Sequence, residues 1–156
     1  MEQLLNNARQ IRKNFIHLIE NSSAEELNEV PAGFNNNIIW NFGHIITSQQ
    51  ALFYLLSALP PKITPQYMDE FRRGTKPERF IGQEEINDLK KLAFSTIDEL
   101  EEDLEKQLFV DYISYTTIFG VTLNSAKEAL QFFPIHDAYH YGCASAIKRV
   151  INNNKN

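Results

Sequence analysis

Two histidines, His136 and His140, lie four residues apart in the sequence His-Asp-Ala-Tyr-His, within the last apolar segment of the chain. In a helix, residues at this spacing share one face and lie about 6 Å apart along the axis. Zinc and other transition metals are commonly bound by histidine pairs of this kind. The alternative is an ordinary pair of buried histidines, although two unpaired imidazoles are costly to bury. The spacing alone leaves both interpretations open.

A third candidate ligand, His44, ends the run Trp-Asn-Phe-Gly-His on a different apolar segment. Three histidines without an obligatory fourth protein ligand would form an open site of the catalytic type. The sequence therefore predicts a metal site made of His44, His136 and His140. The remaining histidine, His17, has no partner four residues further on and lies off the apolar stripe of its helix, so we interpret it as an ordinary surface residue.

Three neighbours of the histidine pair have more than one interpretation. Cys143 follows His140 by three residues and is a fourth ligand, a reactive thiol or, as most single cysteines are, a small buried structural residue. Asp137 and Tyr141 point about 100° away from the histidines that precede them. We expect them at most to contact the metal ligands rather than the metal.

Apolar residues at helical spacing predict four long helices, over about 2–21, 37–59, 83–108 and 124–150. The first carries an apolar stripe that includes Ala8, Ile11 and Phe15. Helices of this number and length predict an all-α fold, a four-helix bundle whose core can host a metal. The connection over about 60–82 is much longer than a tight turn requires, so it could cross the bundle and make the second and third helices parallel. The segment 109–123 is irregular and could hold a short extended piece.

Composition limits the classes of function. The 156 residues predict one domain, 1–156, and the net charge of −5 with scattered basic residues argues against a nucleic-acid partner. A single cysteine permits no intrachain disulfide. The first residues lack the pattern of a signal peptide, and polar residues interrupt the longest apolar stretch, so no membrane partner is expected. These features predict a cytoplasmic protein.

The Trp-Asn-Phe-Gly-His44 run followed by Ile-Ile-Thr-Ser, together with the late His136-Asp-Ala-Tyr-His140-Tyr-Gly, resembles the DinB-like superfamily over essentially the whole chain. The resemblance implies a four-helix bundle with up-down-down-up topology. It also implies a divalent metal, zinc or nickel, held by the residues that match His44, His136 and His140. Members are frequently dimers, which suggests a homodimer. Members often have a glutamine where this chain has Cys143.

The activities known in this superfamily imply a transferase. Its characterised branches, the bacillithiol S-transferases and the mycothiol-dependent maleylpyruvate isomerases, use low-molecular-weight thiols. We therefore expect a three-histidine metal centre that activates such a thiol for attack on an electrophilic small molecule. One alternative is a metal-dependent hydrolase that uses a metal-bound water, although no carboxylate lies one turn from His44 to act as a base. The other is a bundle that binds a metal or ligand without turnover.

Overall fold

The computed structural model describes residues 1–154, and most of them are helical, as the sequence predicts. The described residues form six α-helices, one 3₁₀ turn (Leu55–Ser57) and one two-stranded hairpin. In chain order the elements are α1 (Glu2–Glu20), α2 (Ala24–Asn28), α3 (Ile38–Phe53), α4 (Pro65–Phe71), α5 (Gln83–Glu105), β1 (Tyr115–Thr116), β2 (Thr122–Leu123) and α6 (Ala126–Asn153).

Side-chain caps begin the helices that carry the histidines. The Asn37 side chain accepts a hydrogen bond from the backbone N–H of Trp40 and starts α3. Ser125 accepts from the backbone N–H of Glu128 and starts α6, while the Glu128 carboxylate accepts from the backbone of Asn124. Each cap satisfies N–H groups that the first turn of a helix leaves unpaired. Both starting points lie where the sequence predicts them.

The second and third predicted helices are shorter than expected. Helix α3 ends at Phe53 instead of continuing to about residue 59, because the chain tightens into the 3₁₀ turn and Ala58 adopts a left-handed conformation with φ of 56°. The Leu59 N–H then turns back to the Tyr54 carbonyl. Helix α5 ends at Glu105, two residues before the positive φ of Gln107. Left-handed residues cannot continue a right-handed helix.

The connection between α3 and α5 contains a helix that the sequence analysis missed. Thr64 caps α4 and Pro65 occupies its first turn, a position where proline is tolerated. Seven residues are too few to show a helical apolar period, which explains the miss. Helix α4 packs on α3. The segment 109–123 does hold the expected extended piece, an antiparallel hairpin in which Tyr115 pairs with Leu123.

The four long helices contact one another in pairs: α6 packs on α1 and α3, and α5 packs on the same two helices. The buried stripe of α1 differs from the predicted one, because Arg12 is fully buried whereas Ile11 is only half-buried. An apolar stripe cannot include an arginine, so the sequence analysis did not find this buried residue. None of the helices in the described part of the chain is both long and apolar enough to span a membrane.

The buried Arg12 guanidinium contacts all three of the other long helices. Its Nε donates to the Asp137 carboxylate of α6 at 2.9 Å. Its Nη1 donates to two groups of α5, the Ala93 carbonyl at 2.9 Å and the Thr96 hydroxyl at 3.1 Å. Its Nη2 donates to the Ile45 carbonyl of α3 at 3.3 Å. Arg12 and Asp137 are each 0% exposed, so a buried ion pair links α1 to α6, and the same guanidinium reaches α3 through the Ile45 carbonyl.

We expect Arg12→Met to lower the free energy of unfolding by about 3–5 kcal/mol, because Asp137 would remain buried without its counter-charge. The double variant Arg12→Met/Asp137→Leu should cost less than Arg12→Met alone, since neither charge is then stranded. Urea unfolding with chelator present measures both. Arg149→Met, at an exposed position, is the control and should change stability by less than about 0.5 kcal/mol. A double variant that is no more stable than Arg12→Met would contradict this account.

Candidate metal centre

The structure brings together the three histidines that the sequence singles out. His44 comes from α3, and His136 and His140 lie one turn apart on α6. One ring nitrogen from each lies within 4.8 Å of the others, and the ring centroids are 4.6–5.3 Å apart. His17 lies exposed on α1, away from this group. Cys143 does not belong to it either, so the structure does not support the fourth-ligand interpretation of that thiol.

His44 is held by contacts on two sides. Its ring stacks on Trp40, one turn earlier on α3, with a centroid distance of 4.6 Å. Its Nδ1 lies 2.6 Å from the Phe71 carbonyl oxygen of α4. A carbonyl can only accept a hydrogen bond, so Nδ1 carries the proton and Nε2 keeps its lone pair. The Ser48 hydroxyl lies 3.2 Å from that Nε2 and donates to it.

His140 is oriented by the amide of the buried residue Asn41. The amide nitrogen of Asn41 donates to the Asn36 side-chain oxygen at 2.9 Å and to the Asn37 carbonyl at 2.8 Å. The amide oxygen therefore faces His140, and it accepts from Nδ1 at 2.8 Å. Nε2 of His140 is thus the nitrogen with a free lone pair. Metal-binding histidines typically donate their other N–H to such a partner, which fixes the ring.

Asp137 and Tyr141, the neighbours of the two histidines on α6, have different surroundings. Asp137 Oδ1 lies 3.9 Å from Nδ1 of His136 and is a buried oxygen with no hydrogen-bond partner among the described residues. Asp137 therefore lies beside a candidate ligand and not among the ligands, within the limit that the sequence analysis set for it. Tyr141 instead packs edge-on against Phe15, at a centroid distance of 5.7 Å. It belongs to the apolar core and does not support a histidine.

Burial keeps the two enclosed imidazoles neutral. Burial, together with the nearby His136, lowers the pKa of His44 to about 4. Burial lowers the pKa of His140 to about 2, with further contributions from His136 and His44. A neutral imidazole can donate a lone pair to a metal, whereas a protonated one cannot. At neutral pH both rings are therefore in the form that binds a metal.

The three residues fit a divalent transition metal. A tetrahedral zinc centre with bonds of about 2.0–2.1 Å places its ligand nitrogens about 3.4 Å apart, so side-chain adjustments of about 1 Å would bring all three nitrogens to one ion. Imidazole suits zinc, nickel, copper and iron. With three protein ligands, at least one coordination position stays free for a small molecule.

A cavity of about 500 Å³ opens above the histidines. Its floor includes all three imidazoles and Trp40, and its walls include residues from both irregular segments, 72–74 and 115–118. The larger cavity in the structure, about 970 Å³ between α3 and the 69–81 segment, contains no histidine. We therefore place the functional site in the smaller cavity, where the candidate ligands are.

Sequence analysis missed two residues that build the site. Asn41 was hidden inside the apolar run of α3, and only its distance to His140 identifies it. Gly43 allows α4 to approach: a Cβ at this position would lie 2.5 Å from the Phe71 ring. The close packing of Phe71 on Gly43 places the Phe71 carbonyl at His44. A glycine inside a helical run is the one available signal, because it usually has a packing reason.

Fold and site together define a mostly helical protein with a three-histidine candidate metal centre. The family model of the DinB superfamily matches residues 7–144, so the chain belongs to that superfamily. The resemblance noted from the sequence is thereby confirmed. A search of curated proteins finds no match to this chain.

We expect Gly43→Ala to weaken metal binding by about tenfold or more, within the range seen when supporting contacts of metal ligands are lost. The added methyl group would displace Phe71 and its carbonyl from His44. Alanine is intrinsically the better helix former, so backbone propensity would act in the opposite direction. Competition with a chromogenic chelator measures the affinity.

Gly142→Ala is the matched control, because Gly142 is also helical, lies two residues from His140 and has nothing within 4 Å of the added methyl group. It should bind metal as the wild type does. Equal affinity in the Gly43 and Gly142 variants would show that the approach of Phe71 does not position His44.

Proposed function

We propose that this protein is a metal-dependent transferase, which holds zinc or nickel through His44, His136 and His140 and joins a low-molecular-weight thiol to an electrophilic small molecule. The observation that carries the proposal is the convergence of three imidazoles at the floor of a cavity of about 500 Å³. Two of these imidazoles, His44 and His140, are held neutral, each with its Nδ1 hydrogen-bonded to an oxygen acceptor. The Nε2 lone pair of His140 is free, and that of His44 accepts from the Ser48 hydroxyl. The cavity volume suits a small molecule. Membership of the DinB superfamily supports the same proposal.

A divalent metal held in this way supplies Lewis-acid chemistry, which lowers the pKa of a bound thiol. The reaction forms a bond between the thiol sulfur and a carbon of the acceptor. The leaving group departs with its bonding electron pair, and the thiol proton passes to water. The protein's own side chains orient the partners: Phe71 and Asn41 fix the imidazoles, while Trp40, Leu52 and Phe132 give the cavity apolar walls.

The cavity lining favours the transferase over the hydrolase. Metal-dependent hydrolases usually need a nearby carboxylate to take a proton from water. Among the described residues, no aspartate or glutamate lines the cavity. Asp137 is fully buried and turned towards Arg12. A thiol that binds as its thiolate needs no such base at the moment of attack. The size of the cavity likewise favours turnover of a small molecule over simple metal storage.

The remaining features of the proposal concern the whole molecule. We propose that α1, α3, α5 and α6 form a single-domain four-helix bundle with up-down-down-up topology. The pairwise contacts of these helices support their packing as a bundle. We also propose a cytoplasmic homodimer that acts without nucleic-acid or membrane partners. The net charge of −5 supports the absence of a nucleic-acid partner.

We expect protein purified without a histidine tag to contain close to one metal ion per chain, and His140→Ala to contain almost none. Two imidazoles that remain after the substitution would bind far more weakly than three. Elemental analysis by mass spectrometry measures the content. His17→Ala is the matched control, since it removes the exposed histidine of α1 and should keep the metal. Equal metal content in the two variants would overturn the proposed ligand set.

We expect the metal-loaded protein to conjugate at least one low-molecular-weight thiol to an aryl halide such as 1-chloro-2,4-dinitrobenzene. A panel of thiols is followed by absorbance of the thioether product. The rate should fall to the uncatalysed level after removal of the metal and return when the metal is restored. Metal-loaded protein that conjugates none of the thiols, or conjugates them equally well without metal, would contradict the transferase assignment.

A further inference from the structure

The charges that line the metal cavity are all of one sign. Among the described residues around it, the charged side chains are those of Arg72 and Arg73, and no carboxylate is present. The whole chain has the opposite balance, with 20 acidic residues against 15 basic ones. A divalent metal on the histidines would add further positive charge. A cavity with this lining attracts anions and concentrates them near the site.

The two guanidinium groups retain most of their hydrogen-bonding capacity. Arg73 donates through Nη1 to the Tyr115 hydroxyl oxygen of β1 at 2.9 Å, which ties it to the hairpin at the cavity wall. Tyr115 accepts that bond, so its own hydroxyl hydrogen stays available to a ligand. The Arg72 side chain has no hydrogen-bond or ion-pair partner in the described part of the chain. Each guanidinium has five N–H donors, and of these only one, on Arg73, is used within the described part of the chain.

The backbone fixes where the arginines lie. Arg72 directly follows Phe71, whose carbonyl accepts the hydrogen bond from His44. The contact that orients the first histidine therefore also anchors the start of the arginine pair. After the pair, Gly74 adopts φ of 88° and turns the chain away. This turn keeps both residues at the cavity, although α4 itself is short.

We propose that a substrate of this site carries a carboxylate, and that Arg72 and Arg73 bind this carboxylate while the rest of the molecule reaches the histidines. The inference rests on the proposed function, since it assumes that small molecules bind in this cavity. Guanidinium groups pair with carboxylates through two parallel hydrogen bonds, which gives direction as well as affinity. The site would thus select acidic thiols or acidic acceptors over neutral analogues of the same size.

The test compares two thiols, N-acetylcysteine and N-acetylcysteinamide, which differ by one carboxylate. Isothermal titration calorimetry of the zinc-loaded protein gives both dissociation constants, without any reaction. We expect the wild type to bind the acid about tenfold more tightly than the amide, as two partly exposed ion pairs allow. In Arg72→Gln/Arg73→Gln this preference should fall below about twofold, and Arg72→Gln alone should lose part of it.

Arg72→Gln breaks no side-chain hydrogen bond or ion pair of the described structure, so it tests whether a folding defect explains the result of the double variant. The control Lys13→Gln/Arg149→Gln removes the same charge from exposed positions outside the cavity and should keep the full preference. A preference for the acid that survives in Arg72→Gln/Arg73→Gln would come from the metal or from thiol acidity, and would overturn the proposal. So would equal binding of both thiols by the wild type. A protein that binds no zinc would instead contradict the proposed function itself.

Discussion

The buried ion pair between Arg12 of α1 and Asp137 of α6 fixes which face α6 turns towards the other long helices. Asp137 lies between His136 and His140 on α6, so a rotation of α6 that moved the histidines would also separate the two charges. A shift by one residue would turn Asp137 by about 100° and separate its carboxylate from the Arg12 guanidinium, so that neither buried charge would keep its counter-charge. Because desolvating two charges offsets much of their attraction, such a pair contributes little net stability. Its main effect here is to make one orientation of α6 much lower in free energy than orientations rotated by one residue.

Around this fixed helix, backbone and amide groups set the direction of each ring. Asn41 orients His140, and Asn41 is itself held by the chain that leads into α3, through Asn36 and Asn37. His44 is oriented from the other side, by the carbonyl of Phe71 at the end of α4. The centre therefore depends on segments before and after α3 as much as on the two long helices. Metal sites typically lose affinity when such outer contacts are removed, even with all ligands intact.

The sequence predicts the parts of this arrangement that depend on local patterns. Long apolar periods predicted α1, α3, α5 and α6, and the caps at Asn37 and Ser125 placed two of their starts. The three histidines could be singled out by type and spacing. Helix α4 was missed because seven residues show no period, and Arg12 was missed because a buried arginine depends on partners 33 to 125 residues away. Contacts of this kind exist only once the helices have packed.

The charge of the cavity lining also could not be predicted from the sequence. The net charge of −5 is a property of the whole surface, and it argues against a nucleic-acid partner. It gives no indication that the lining of one cavity is free of acids and carries two arginines. The local field at a site depends on which few side chains the fold brings there, and low-dielectric walls strengthen it. An acidic protein can therefore hold a cavity that attracts anions, and the short α4 that places Arg72 beside the histidine site is the element that creates this difference.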